Sequence, residues 1–221
     1  MDDLVEKLII CIERGKADAN TSYPPDLKGQ DGASELTQKL IDASMSANDI
    51  LSKALVVGMH NIGEKFSKGQ AFIPDLLISA RAMDAAMEHL KPYFESGDVQ
   101  YKGIVVLGTI AGDLHDIGKN IVGMVLKGNG WNVIDLGIDV STDKFVNAVE
   151  ENPGCLVGMS ALLTTTMMNM EQTTKAIKEK SPQTQVFIGG APVSTEFNQQ
   201  ISADGYFPDP HSFVNHIRQG R

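Results

Sequence analysis

The hydrophobic pattern changes character once, near residue 100, and that change limits the folds open to the chain. Residues 3–95 carry the 3.6-residue period of amphipathic helices and almost no strand signal. Beyond them, IVVLGT (104–109), NVIDLG (132–137), CLVGMSA (155–161) and QVFIGG (185–190) are short apolar runs rich in β-branched residues. Segments of helical character separate them, near 118–129, 142–150, 166–180 and 194–202; a fifth strand at 206–207 and a last helix over 211–218 complete the set. Strand and helix in regular alternation mean parallel strands with right-handed crossovers. Runs apolar on both faces mean a sheet covered on both sides. The chain therefore reads as α/β: an N-terminal four-helix bundle at 1–95, a polar linker at 96–101, and a five-stranded doubly wound parallel sheet (Rossmann or flavodoxin-like) at 102–221.

Within the first region, DDLVEKLIICIERGK places Leu4, Leu8, Ile9 and Ile12 on one helical face. ADANTSYPPDLKGQDG (17–32) has paired prolines and several turn formers, and must be a loop. Helices are predicted at 33–46, 47–65 and 73–95, the last with Pro74 in its first turn, where a missing N–H costs no intrahelical bond. Short connections after the first loop suit a small bundle.

Composition narrows the function classes. Net charge is −9 and the 19 basic residues are scattered, which argues against a nucleic-acid surface. No apolar run approaches the ~20 residues of a membrane span. The opening MDDLVEKLII is acidic where a signal peptide is basic, so the expected location is cytoplasmic. Cys11 and Cys155 lie in apolar segments and read as small buried hydrophobes, not as a disulfide or metal pair.

In such sheets ligands bind at the carboxyl ends of the strands, and GTIAGDLHDIGKNIV (108–122) leaves the first of them. In an extended loop residues i and i+2 project the same way. Asp113 then reaches the ring of His115 while Leu114 turns inward. A carboxylate on one ring nitrogen fixes the tautomer and frees the other nitrogen for a ligand or proton. Gly112 and Gly118 let the backbone approach something large. Strand three ends with hydroxyls at Ser160, Thr164, Thr165 and Thr166, more than helix capping requires. Strand four ends in Gly189 and Gly190, almost without side chains. Together these make a slot for a long polar, nucleotide-like tail with a ligated atom at its mouth. The bland alternative is a helix-entry loop in which His115 and Asp113 merely satisfy each other.

Other site classes fail on composition. A phosphohydrolase metal pair at His115 and Asp116 needs further ligands, and His60, His89, His211 and His216 form no such set. No G-x-G-x-x-G follows strand one. A phosphorelay receiver needs an Asp where Ser160 ends strand three.

D-x-H-x-x-G (Asp113, His115, Gly118), S-x-L (Ser160, Leu162) and G-G (Gly189, Gly190) together resemble the signature of cobalamin-binding domains. IGEKFSKGQAFIPDLLISARAM (62–83) resembles the helical cap of methyl-carrying corrinoid proteins. The resemblance spans about residues 36–220 and is to corrinoid proteins of methylamine, methanol or methoxyaromatic methyltransferase systems, as in methanogenesis and one-carbon metabolism. It implies a cobamide bound base-off and His-on, with His115 on cobalt and Asp113 holding Nδ1. Thr166 stands where methionine synthase completes this relay with serine. It also implies that Gly112, Leu114, Asp116 and Gly118 border the cofactor. Ser160, Leu162 and Thr164, with Gly189, Gly190 and Pro210, would line the nucleotide channel, and Phe66, Ile73 and Leu76 would cover the upper corrin face. A cofactor-contacting glutamate of methionine synthase aligns with Ser52, so that contact is not expected. The loop at 17–32 also departs from the family pattern.

The implied role is a carrier that is not an enzyme alone. Its partners would be a substrate:corrinoid methyltransferase, a methyl-acceptor methyltransferase of coenzyme M or tetrahydrofolate type, and a reductive activase. A cobalamin sensor would need a signalling module in addition. The cobalamin subunit of an adenosylcobalamin mutase has no reason to carry the spaced pair Phe66 and Ile73.

Overall fold

The computed structural model describes residues 1–219; positions 220 and 221 of the expected second domain lie outside the described residues. The chain divides into two compact units, Met1–Tyr101 with Gly128–Gly130, and Lys102–Lys127 with the chain from Trp131 onward.

The first unit is helical: α1 (Asp2–Arg14), α2 (Ala33–Asp42), α3 (Ala47–Ile50), α4 (Val56–Ser67) and α5 (Ile73–Glu95). A π-helical turn at Leu51–Leu55 joins α3 to α4, so 47–67 runs on as the expected third helix. The second helix was expected to reach residue 46 and stops at Asp42 instead. Ser44 takes a left-handed φ of 63°, and Ser46 then caps α3 by accepting the Asp49 N–H at 3.1 Å. Leu8 and Ile12 of α1, Leu40 of α2, Met59 of α4 and Leu90 of α5 are buried. At the α1–α4 crossing a Cβ on Gly58 would come within 2.6 Å of Ile12 Cβ, so the two backbones approach as closely as glycine allows. The loop at 17–32 is bound down rather than loose. Arg14 grips Asp26 through two 2.7 Å bonds, and Glu35 accepts the N–H groups of Ala19 and Gly32. Lys16, 0% exposed, donates to the Thr21 carbonyl at 2.5 Å.

The second unit is a five-stranded parallel sheet in the order β2-β1-β3-β4-β5. Its strands are β1 (Ile104–Thr109), β2 (Asn132–Asp135), β3 (Leu156–Ser160), β4 (Val186–Gly189) and β5 (Gly205–Tyr206). The helices between and after them are α6 (Ile117–Gly128), α7 (Thr142–Glu151), α8 (Thr164–Lys180), α9 (Thr195–Ile201) and α10 (Pro210–Gln219). Val106, Ile110, Phe145, Val157, Ile177 and Val186 are central to one buried cluster. Gly108 is required there: a Cβ on it would sit 2.6 Å from the Phe145 ring. This strand order puts the topological switch point between β1 and β3, where open α/β sheets bind ligands.

Two kinds of glycine stand at the carboxyl edge of the sheet, Gly190 after β4 and Gly118 in the first turn of α6. Gly190 has φ 125°, and a Cβ on it would fall 1.8 Å from the Ala161 carbonyl oxygen. Gly118 has nothing within 4 Å of such a Cβ. Gly190→Ala should therefore lower the unfolding free energy by about 3 kcal/mol or more, whereas Gly118→Ala should stay within about 1 kcal/mol of the parent. Urea unfolding of both variants checks the contrast.

Candidate functional site

The site is built outward from the end of β1. Ile110 is buried and bridges Val140. Gly112 then turns left-handed at φ 82°, and the Asp113 N–H closes the turn on the Ile110 carbonyl at 3.1 Å. That turn decides which side chain points inward. Asp113 is 0% exposed and Leu114 is 66% exposed, so the expectation that Leu114 turns inward is corrected. The loop is not extended, and the glycine turn sends the carboxylate into the protein and the leucine out.

Asp113 is saturated with donors. Its Oδ1 accepts the His115 Nδ1–H at 2.7 Å and the His115 backbone N–H at 3.0 Å. Its Oδ2 accepts the Leu162 N–H at 2.7 Å, the Leu163 N–H at 3.2 Å and the Thr166 hydroxyl at 2.7 Å. Burial pushes the Asp113 carboxyl up, but the Leu162 N–H, the Thr166 hydroxyl and both His115 donors outweigh it. They hold the group well below the usual carboxylate range. Asp113 is thus an anion, which assigns the ring hydrogen of His115 to Nδ1. Nε2 is left with its lone pair and no hydrogen-bond partner among the described residues, on a side chain 51% exposed.

The β3 end supplies the other half. Thr166 is the hydroxyl committed to Asp113, while Thr164 and Thr165 are exposed and Ser160 is half-buried. None of them caps α8, whose N-cap position is Leu163 with no side-chain bond. Gly189, Gly190 and Pro210 are half-buried at the next strand ends. Glycine at 190 is explained by the Ala161 carbonyl alone; the open front of Gly118 has no such explanation within the protein. Asp116 accepts the Asn120 side-chain N–H at 3.0 Å. In the helical unit Ile73 is exposed and Phe66 half-buried, but Leu76 is 3% exposed and belongs to the packed interior. The Ser52 hydroxyl is used within its own helix, on the Asn48 carbonyl at 2.7 Å.

Several residues were missed by sequence reasoning. Ile117, Ile138, Leu163 and Met168 join Leu114 and Leu162 as exposed apolar side chains on the loops and first turns that follow β1, β2 and β3. Apolar residues at positions where a binary pattern demands polar ones were the available signal. Lys119 is buried and pairs with Asp135 and with Asn120 Oδ1. Asn169 donates to the Ala111 carbonyl at 2.9 Å. Asp139 accepts the Gly112 N–H at 2.7 Å.

The donor set defines what this site can hold. Among the described residues no group of three or more His, Cys, Asp or Glu side chains could bind a metal ion. One oriented imidazole is insufficient for a bare ion but fits a metal that brings its own ligands in a large macrocycle. The exposed apolar side chains and the open face of Gly118 fit such a flat, partly apolar body.

Comparison with known proteins agrees with that donor set. A B12 binding domain family matches residues 103–211, and a second family, also described as a B12 binding domain, matches residues 30–91. The trimethylamine corrinoid protein 1 of Methanosarcina acetivorans is 37% identical over 205 residues, 91% of this chain and 93% of that protein. The chain belongs to the methyltransferase corrinoid proteins. The methanol:cobalamin methyltransferase complex of Methanosarcina barkeri matches this corrinoid protein with a TM-score of 0.81 at 30% identity, covering 100% of this chain and 81% of that one. A cobalamin-binding protein from Desulfitobacterium hafniense matches it with a TM-score of 0.75 at 28% identity over 97% of both chains. No helix among the described residues is long and apolar enough to cross a membrane.

The saturated carboxylate predicts the acid stability of the corrinoid protein. A carboxyl whose folded value is depressed stabilises fully above its unfolded value, near 4, and loses that contribution as pH falls below it. Asp113→Asn should cost about 2–4 kcal/mol at pH 7, and its stability should fall less steeply than the parent's below about pH 4. Urea unfolding of the cofactor-free protein across that pH range provides the measurement.

Proposed function

We propose that this chain carries a methyl group on the cobalt of a base-off, His-on cobamide, between a substrate-specific methyltransferase and a methyl-acceptor methyltransferase of coenzyme M or tetrahydrofolate type, in the cytoplasm. A reductive activase completes its set of partners. The observation that carries this reading is the imidazole of His115. It is held at Nδ1 by a buried anion and left without a partner at Nε2, and the described residues hold no ligand set for a bare metal ion. The corrinoid supplies the cobalt that accepts the methyl group from one enzyme and yields it to the next.

The chain's own residues would supply the lower ligand and the surroundings of the cofactor. His115 Nε2 offers its lone pair in place of the cofactor's lower base. The displaced nucleotide tail is assigned to the strand ends at Ser160, Leu162, Thr164, Gly189, Gly190 and Pro210, with Gly112, Asp116 and Gly118 bordering the ring. Asp113 fixes the imidazole tautomer, and Thr166 holds Asp113. Because five donors occupy Asp113, its carboxylate keeps its charge and does not draw the Nδ1 proton from the ring. Residues 102–221 are assigned to cofactor binding and 1–95 to shielding it, with Phe66 and Ile73 as the shielding side chains and 96–101 as the linker. The relatives include a trimethylamine corrinoid protein and a methanol complex, so similarity does not single out the methyl donor.

Cobalamin titration tests the reading. The protein should bind about one equivalent with a His-on spectrum, and His115→Ala should lose that spectrum while still binding; an unchanged spectrum in the variant would overturn it. Partner binding tests the carrier role. Both methyltransferases must reach the same reactive face, so saturating the loaded protein with one should weaken its affinity for the other in a pull-down or calorimetric titration. Undiminished affinity for the second enzyme argues against a shuttle.

A further inference from the structure

The turn between β2 and α7 (residues 136–141) grips the His115 loop through a residue that touches neither the ring nor its carboxylate. Asp139 has φ 51°, in the left-handed region that a side chain other than glycine's enters only at a cost. Its Oδ1 accepts the Gly112 N–H at 2.7 Å, and its own N–H donates to the Asp113 carbonyl at 3.0 Å. These two bonds hold the Gly112–Asp113 pair at both ends. The turn itself is registered on β1: the Thr109 N–H donates to the Gly137 carbonyl at 3.0 Å, and the Val140 N–H donates to the Thr109 carbonyl at 2.9 Å.

Gly112 is the residue whose left-handed turn aims Asp113 inward. Rotating that pair would carry the carboxylate away from Leu162, Leu163 and Thr166, which all belong to the loop and helix after β3. Asp139 is also exposed and contributes nothing to the buried core. Glycine would accept the same φ without strain, so the side-chain acceptor is what aspartate adds here.

We propose that Asp139 is a positioning residue for the cofactor site. Through the Gly112–Asp113 pair it fixes the aim of the Asp113 carboxylate and, through that, the orientation and tautomer of His115. The link to cobalt rests on the methyl-carrier reading; the effect on the ring does not.

The test uses Asp139→Ala, Asp139→Gly and Asp139→Asn in the full chain. Ring nitrogen NMR of His115 in the cofactor-free protein, at a pH where the ring is neutral, reads the tautomer directly. The parent and Asp139→Asn, which keeps a carbonyl acceptor, should show one dominant Nδ1–H form. Asp139→Ala and Asp139→Gly should show a mixture, faster amide exchange at Gly112, and cobalamin binding weakened roughly 3–10-fold, below the ~10–100-fold range for losing a direct partner of a metal ligand. Asp139→Gly keeps the proposal testable if Asp139→Ala fails to fold, because it suits the backbone and lacks only the acceptor. A glycine variant with the parent's tautomer and exchange rate would overturn the proposal, as would an asparagine variant as impaired as alanine. A chain that bound no cobalamin at all would instead sink the carrier reading and leave the NMR result to judge Asp139.

Discussion

The second unit is organised around one buried negative charge. An isolated carboxylate taken out of water is expensive enough that it would ordinarily neutralise by taking up a proton. Asp113 avoids this by accepting five hydrogen bonds, two from its own loop and three from the loop and first turn that follow β3. The consequence is geometric as well as electrostatic. Two loops separated by about fifty residues must meet at one group, and they can do so only because β1 and β3 are neighbours in the sheet. The strand order that defines the fold is thus also what makes the carboxylate tolerable.

The same arrangement explains why α8 begins as it does. Its first turn follows Leu163, which has no capping side chain, and Thr164 and Thr165 point to solvent instead of capping. An anion at that end suits the partial positive charge of a helix N-terminus. Asp113 supplies it from another part of the chain while taking the N–H groups of Leu162 and Leu163. Helix, loop and carboxylate therefore stabilise one another. The imidazole gains from all of them, because a carboxylate that is held in place and stays ionised at neutral pH fixes Nδ1 in one direction.

What could be read from the sequence was local or periodic. Strand and helix alternation gave the parallel sheet, and i, i+2 spacing brought Asp113 to His115, since both signals lie within a few residues. What escaped depended on backbone conformations or on returns of the chain. Leu114 faces outward because of a left-handed turn at Gly112, and α2 stops early because of one at Ser44. The saturation of Asp113 comes from residues some fifty positions away. Gly190 looked like a bare floor for a ligand, yet its glycine is dictated by the Ala161 carbonyl, a neighbour known only once β3 and β4 are paired. Asp139 carries no motif at all; its importance lies in a hydrogen bond to a backbone N–H.

On the carrier reading, a site with a single protein ligand would divide its labour unusually for a metal centre. In a typical zinc site three or four side chains provide both affinity and geometry. Here one nitrogen lone pair is available, so affinity for a macrocycle has to come from elsewhere. Leu114, Ile117, Ile138, Leu162, Leu163 and Met168 are all exposed at the carboxyl edge of the sheet. Burying each of them contributes at most about 1.5–3 kcal/mol if complete, and less if partial. Even partial coverage of six such side chains would add up to several kcal/mol. On the carrier reading this is a requirement and not a convenience. His115 Nε2 would there serve as a ligand that can be released and taken up again, and a cofactor held chiefly by it would be easily lost. Holding it by apolar surface would leave His115 free to bind or release it, while the anchored Asp113 keeps the ring aimed in one direction.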